Sequence, residues 1–291
     1  MLPTARLQQY AAAALGEGAG LWLRHAQASV RAAAAILDLE LEPPHPGAGR
    51  SLVVPARTPR GDRVAVRVDL PGNLHLPEVT AIGDAGVGPR VVHADQAAGL
   101  SVVQWLPGKH PNPSSLGASA AVGRTLSRLR ATPAPSGARP VQDVIGHFLD
   151  VAVQRARRAG LEDLPRLLAA DVERSVELAH VDVLAHGDLT AGNVLLHEGR
   201  AWLIDADPYA GPIERDLATW ILRVEDGQRL AAHAAAALRA LTDVDVELLE
   251  WLVAVAARTF VAYRASLHRD VPAAAAAVAL DHTARARLGL T

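Results

Sequence analysis

Between residues 36 and 103 the apolar positions recur with a period near two, the signature of strands whose side chains alternate between the faces of a sheet. Arg63 to Leu70 sets Val64, Val66 and Val68 against polar partners, Ser51 to Ala56 carries Leu52-Val53-Val54, and Ile36 to Glu42 alternates apolar with acidic residues. Pro59-Arg60-Gly61-Asp62 supplies a hairpin turn between Ser51–Ala56 and Arg63–Leu70, and Leu100 to Val103 reads as a further strand. On either side the period lengthens toward helix. Residues 4 to 35 predict two helices broken around Gly16, Gly18 and Gly20, the second carrying Leu21, Leu23, Val30 and Ile36. Residues 109 to 118, rich in Pro, Gly and Ser, read as a loop. Helices follow over Ala118–Arg130, Val141–Ala159 and Leu164–Leu178, then Asp216–Val224, Gly227–Leu241, Asp245–His268 and an alanine-rich tail from Ala273 to Leu290.

One stretch interrupts the helical half. Val181 to Leu184 is a short apolar run, broken by His186-Gly187-Asp188; Val194–Leu196 and Ala201–Ile204 then read as two strands joined at His197-Glu198-Gly199-Arg200. The result is a loop bearing Asp188 and Asn193, and a hairpin whose second strand ends at Asp205. Phosphoryl transfer asks for this set: a carboxylate to orient a hydroxyl and take its proton, and an amide oxygen with a second carboxylate to hold a metal. Asp188 and Asn193 stand at D-x4-N, the spacing of a kinase catalytic loop. The donors of Asn193 and Asp205 are hard oxygens, which suit Mg2+ rather than zinc.

Composition narrows the surroundings. Half of the 291 residues are hydrophobic, enough for a large core, and 29 basic against 31 acidic residues leave a net charge of −2 with no global case for nucleic acid. There is no cysteine, so disulfides and thiolate metal sites are excluded. Lys109 is the sole lysine among many arginines, a bias of GC-rich coding. No uncharged apolar run reaches the ~18 residues of a membrane helix, and Glu17 and Arg24 interrupt the apolar N-terminal segment, unlike a signal peptide. The expected location is the cytoplasm, where ATP is available, with no membrane or nucleic-acid partner; the oligomeric state is not readable.

HGDLTAGNVLL from His186, LIDADP from Leu203 and GPIERDLA from Gly211 together resemble the aminoglycoside phosphotransferase and choline kinase superfamily. The resemblance implies an α+β, bilobal protein-kinase-like fold. A small sheet-containing N-terminal lobe would span residues 1–105, and a mainly helical C-terminal lobe residues 106–291, with Asp188, Asn193 and Asp205 converging in a cleft at the junction. It implies an ATP- or GTP-dependent kinase that uses Mg2+ and phosphorylates a small-molecule hydroxyl, an aminoglycoside antibiotic being one case. Asp188 would be the catalytic base, and Asn193 and Asp205 the metal ligands.

The same resemblance assigns the nucleotide contacts. Gly47, Gly49 and Ser51 would belong to the loop over the nucleotide, although Gly-Ala-Gly is also an ordinary hairpin turn. Arg67 stands where the third strand usually carries a lysine for the α- and β-phosphates, with Glu78 on the next helix as its partner. Gly86 to Val92 resembles the turn into strand four, and Gln104-Trp105 opens a hinge for adenine; Trp105 reads equally as core packing. His186 is expected to fix loop geometry rather than act as a base, and Thr190 to bring a hydroxyl near the γ-phosphate. Asp207 is either a water-mediated neighbour of the metal or a strand-end aspartate bonded to the next turn. Asp216 opens a helix and would be an N-cap, a tie to the catalytic loop, or both.

The separation of Asp205 from Asp216 leaves no room for a protein-kinase activation loop and its A-P-E signature, which points to a small diffusible acceptor. A second reading, a nucleotide-binding pseudokinase with a regulatory role, draws on Arg67; the complete set of Asp188, Asn193 and Asp205 draws toward the enzyme. Glu214, Glu225, Asp226, Asp243, Asp245, Glu247 and Glu250 are available for a polycationic acceptor, but arginines are interleaved among them.

Overall fold

The computed structural model describes residues 4–46, 50–112, 114–175, 178, 183–223, 230–241 and 243–267. The chain divides between Leu106 and Pro107 into two compact units.

The first unit is built on a five-stranded antiparallel sheet of order β1-β2-β3-β5-β4, formed by β1 (Glu40–Leu41), β2 (Ser51–Arg57), β3 (Arg63–Asp69), β4 (Val91–Asp95) and β5 (Leu100–Gln104). Val64, Val66 and Val68 of β3 are buried with Leu52, Val54 and Ala56 of β2 and Val102 of β5. Helices α1 (Ala5–Leu15) and α2 (Ala19–Leu37) close that core with Leu7, Ala11, Trp22, Ala26, Val30 and Ala33. Between β3 and β4 lies α3 (Leu76–Asp84). Two expectations are corrected here. The strand over Ile36–Glu42 is only Glu40–Leu41, because the alanine run at 32–35 carries α2 through Leu37 and Asp38 stops it in the left-handed region at φ 52°. The buried stripe of α2 is also made mostly of small residues: Leu21 and Ile36 are 66% and 72% exposed.

The second unit is mainly helical: α4 (Leu116–Arg130), α5 (Val141–Arg158), α6 (Leu164–Ser175), α7 (Glu214–Arg223), α8 (Leu230–Leu238) and α9 (Val246–Ser266). Helix α4 lies so close to α8 that a side chain on Gly123 would meet the Ala237 carbonyl at 2.2 Å. A buried ion pair, Arg258 Nη1 to both oxygens of Asp171 at 2.6 and 2.7 Å, joins α9 to α6, and Trp251 Nε1 donates to the same carboxylate. Among these helices run β6 (Leu184–Ala185), paired with β9 (Tyr209–Ala210), and the hairpin of β7 (Val194–His197) and β8 (Arg200–Leu203). Of the strand expected over Val181–Leu184, Leu184 belongs to β6, and Val181 and Asp182 fall outside the described residues, as do the tail from 268 and residues 224–229 with Glu225 and Asp226. The segment read as a loop from 109 adds to the hairpin: Lys109 and Leu196 exchange backbone hydrogen bonds at 3.1 and 2.8 Å. Helix α7 begins at Glu214, so Asp216 sits inside its first turn rather than at its N-cap.

Candidate active site

The loop after β6 is held in shape by side chains that grip its main chain. Asp216, 1% exposed on α7, accepts from His186 N–H at 2.6 Å and Gly187 N–H at 2.9 Å. Burial pushes the Asp216 carboxyl above its ordinary pKa, against the opposing pull of His186, the two loop N–H groups and Arg215. The ring of His186 is fully buried, and its Nε2 lies 3.0 Å from the Ile204 carbonyl, where it donates. That contact and the Ile204 N–H to Asn193 carbonyl bond at 2.9 Å fix the residue just before Asp205 from two sides. Asp205 itself is exposed and takes φ 57°. Gly187 turns at φ 87°, and a side chain there would strike the Asp207 carbonyl at 1.9 Å.

Within the loop, Asn193 Nδ2 donates to the Asp188 carbonyl at 2.8 Å and to Asp188 Oδ2 at 3.0 Å. The amide therefore spends its donor on the carboxylate that phosphoryl transfer would use, which leaves its Oδ1 as an acceptor. Asp207 forms an ion pair with Arg139 Nη2, which also donates to the Pro208 carbonyl at 3.1 Å. The structure thus ties Asp207 to Arg139, on the segment before α5. Arg215 lies over the rings of Tyr209 and Phe148 at 5.0 and 5.4 Å, with Nη1 3.5 Å from the Gly187 carbonyl. Glu214 is buried and paired with Arg130 at 2.5 Å, so it is structural. Arg215 lies inside the GPIERDLA stretch, whereas Arg139 was not signalled by the sequence, since it meets Asp207 only through a tertiary contact.

In the first unit the expected nucleotide residues are placed differently from one another. Gly47 and Gly49 lie outside the described residues. Ser51 pairs with Asp69 and Val53 with Arg67 across β2 and β3, so Ser51 and Arg67 share one face of the sheet. Asp69 engages Arg67, with Nη2 at 2.7 Å and Nε at 2.8 Å from Oδ1. Glu78, buried in the first turn of α3, makes no hydrogen bond or ion pair with Arg67, and the expected pairing is corrected. Positions i and i+2 of a strand point to the same side, a signal present in the sequence. At the hinge, Gln104 N–H goes to the Arg90 carbonyl and Trp105 N–H to the Arg63 carbonyl. The Trp105 ring packs under the Arg63 guanidinium at 4.3 Å, and the next N–H along the chain is that of Leu106.

A family model described as the phosphotransferase enzyme family, APH, matches residues 77–238. The chain belongs to this family. It is 30% identical over 216 residues to the streptomycin 6-kinase of Streptomyces glaucescens, spanning 71% of this chain and 70% of that one. Among solved structures it is similar to a choline/ethanolamine kinase family protein from Mesorhizobium loti, with a TM-score of 0.62, 18% identity, and coverage of 86% of this chain and 91% of that one. It is also similar to an amicoumacin kinase in complex with AMP-PNP, Ca2+ and Ami, with a TM-score of 0.58, 13% identity and coverage of 90% of each chain. The α+β, kinase-like fold expected from the sequence is therefore the fold of this phosphotransferase.

As a phosphotransferase acting on hydroxyl groups, the chain offers a donor set that fits a hard divalent cation. Asn193 Oδ1 and the exposed Asp205 carboxylate can hold one. Among the described residues no cluster of three or more His, Asp or Glu side chains forms a metal cage.

Proposed function

We propose that this phosphotransferase moves the γ-phosphoryl group of ATP to a hydroxyl of a small amino-sugar acceptor of the aminoglycoside class. The observation that carries the reading is the Asn193–Asp188 bond inside a loop anchored by Asp216. It fixes a carboxylate where a hydroxyl can be oriented, beside an amide oxygen suited to a cation. In the reaction the acceptor oxygen bonds to the γ-phosphorus and the bond from that phosphorus to the β–γ bridging oxygen breaks. ADP leaves, and the hydroxyl proton passes to Asp188 late in a loose transition state. Asn193 and Asp205 would hold Mg2+, which would supply neutralisation of charge on the phosphates. Arg67 meets the phosphates, and Leu106 N–H is the hinge donor for adenine. The streptomycin 6-kinase similarity supports the acceptor class, and the AMP-PNP complex of the amicoumacin kinase supports a nucleotide with a divalent cation.

No helix among the described residues is long and apolar enough to cross a membrane, and we place the reaction in the cytoplasm with the ATP pool. The test is ADP release with ATP or GTP and Mg2+ across aminoglycosides, amino alcohols and neutral sugars. Stimulation by an aminoglycoside, lost in Asp188→Asn while ATP still binds, is the expected result. No stimulation by any acceptor in the wild-type chain would instead favour a nucleotide-binding pseudokinase.

A further inference from the structure

The phosphate-facing role given to Arg67 raises the question of what aims its guanidinium. Asp69 meets it side-on, through Nε to both carboxylate oxygens at 2.8 and 3.1 Å and through Nη2 to Oδ1 at 2.7 Å. Two guanidinium nitrogens converge on Oδ1 while Nε also reaches Oδ2, which restrains the orientation of the guanidinium as well as its position. Asp69 is itself immobilised: its side chain is 2% exposed, its N–H donates to the Gly99 carbonyl at 2.9 Å, and its carbonyl accepts from Trp22 Nε1 at 3.3 Å. Arg67 keeps 23% of its side chain exposed and is flanked across the ladder by Val53 and Ser101. A buried carboxylate thus grips a cation that keeps part of its side chain exposed. Glu78, on a separate element, takes no part.

We propose that Asp69 is the positioning residue for Arg67, so that the phosphate-binding cation is set within β3 itself and does not depend on the placement of α3. The inference rests on the nucleotide reading above. Arginine is accommodated in place of lysine because the partner is nearby on the same strand face.

The test compares Asp69→Asn, Glu78→Gln and Arg67→Ala for binding of ATP, ADP and adenosine, with thermal unfolding as a check on folding. Asp69→Asn keeps the shape of the side chain but not its charge. Asp69→Asn and Arg67→Ala are each expected to weaken ATP and ADP at least tenfold while adenosine, which has no phosphates, changes less than threefold. Glu78→Gln should weaken ATP less than threefold. A purely structural role for Asp69 would lower adenosine affinity in parallel with ATP and overturn the inference, as would a loss in Glu78→Gln equal to that in Asp69→Asn. A wild-type chain that binds ATP no more tightly than adenosine would overturn the nucleotide reading itself.

Discussion

Asp216→Asn tests whether the loop bearing Asp188 is held from α7. In the wild type both carboxylate oxygens are used, one on each of two consecutive N–H groups. Asparagine keeps one acceptor and turns an NH2 donor toward the other N–H. One charge-assisted bond, worth about 1.5–3 kcal/mol, is lost, and a buried donor is left facing a donor, at about 1–3 kcal/mol. Release of a buried charge offsets part of this, because burial already raises the Asp216 pKa. The net expectation is about 2–4 kcal/mol, large against a typical total of about 5–15 kcal/mol. Urea unfolding of the two proteins measures the gap, and turnover of the folded fraction reports loop geometry. A difference under about 0.5 kcal/mol, the range of an ordinary surface change, would refute the argument.

Two further expectations follow from the same loop. Gly187→Ala would drive a methyl into the Asp207 carbonyl from a left-handed backbone, and turnover should fall at least a hundredfold; an active alanine variant would show that the turn is not needed. Asp205→Ala should raise the Mg2+ concentration needed for half-maximal ADP release about tenfold or more, with a matching loss of ATP affinity, whereas unchanged Mg2+ dependence would remove Asp205 from the metal site.

The loop and its hairpin were legible because their chemistry is local: Asp188, Asn193 and Asp205 are tied by a short segment whose strands announce themselves by apolar runs. The sheet core was legible through the alternation in β2 and β3. The strand at Ile36 was not, because an alanine run has no polar face from which to read a period, and helix propensity carried α2 past a β-branched residue. Arg67 was given Glu78 by resemblance, while the nearer Asp69 was visible two positions along. Arg139 meets Asp207 across 68 residues of sequence, a pairing that no local pattern encodes.

The anchors of the loop share a property with a wider consequence. Asp216 grips two peptide N–H groups, His186 a peptide carbonyl, and Asn193 a peptide carbonyl as well as a side chain. Main-chain atoms are the same whatever residue bears them. The curvature of the loop is thus largely uncoupled from the identities of Thr190, Ala191 and Gly192. In evolutionary terms, the reacting centre is insulated from drift, and a change of acceptor can accumulate in the surrounding helices without the chemistry having to be reinvented.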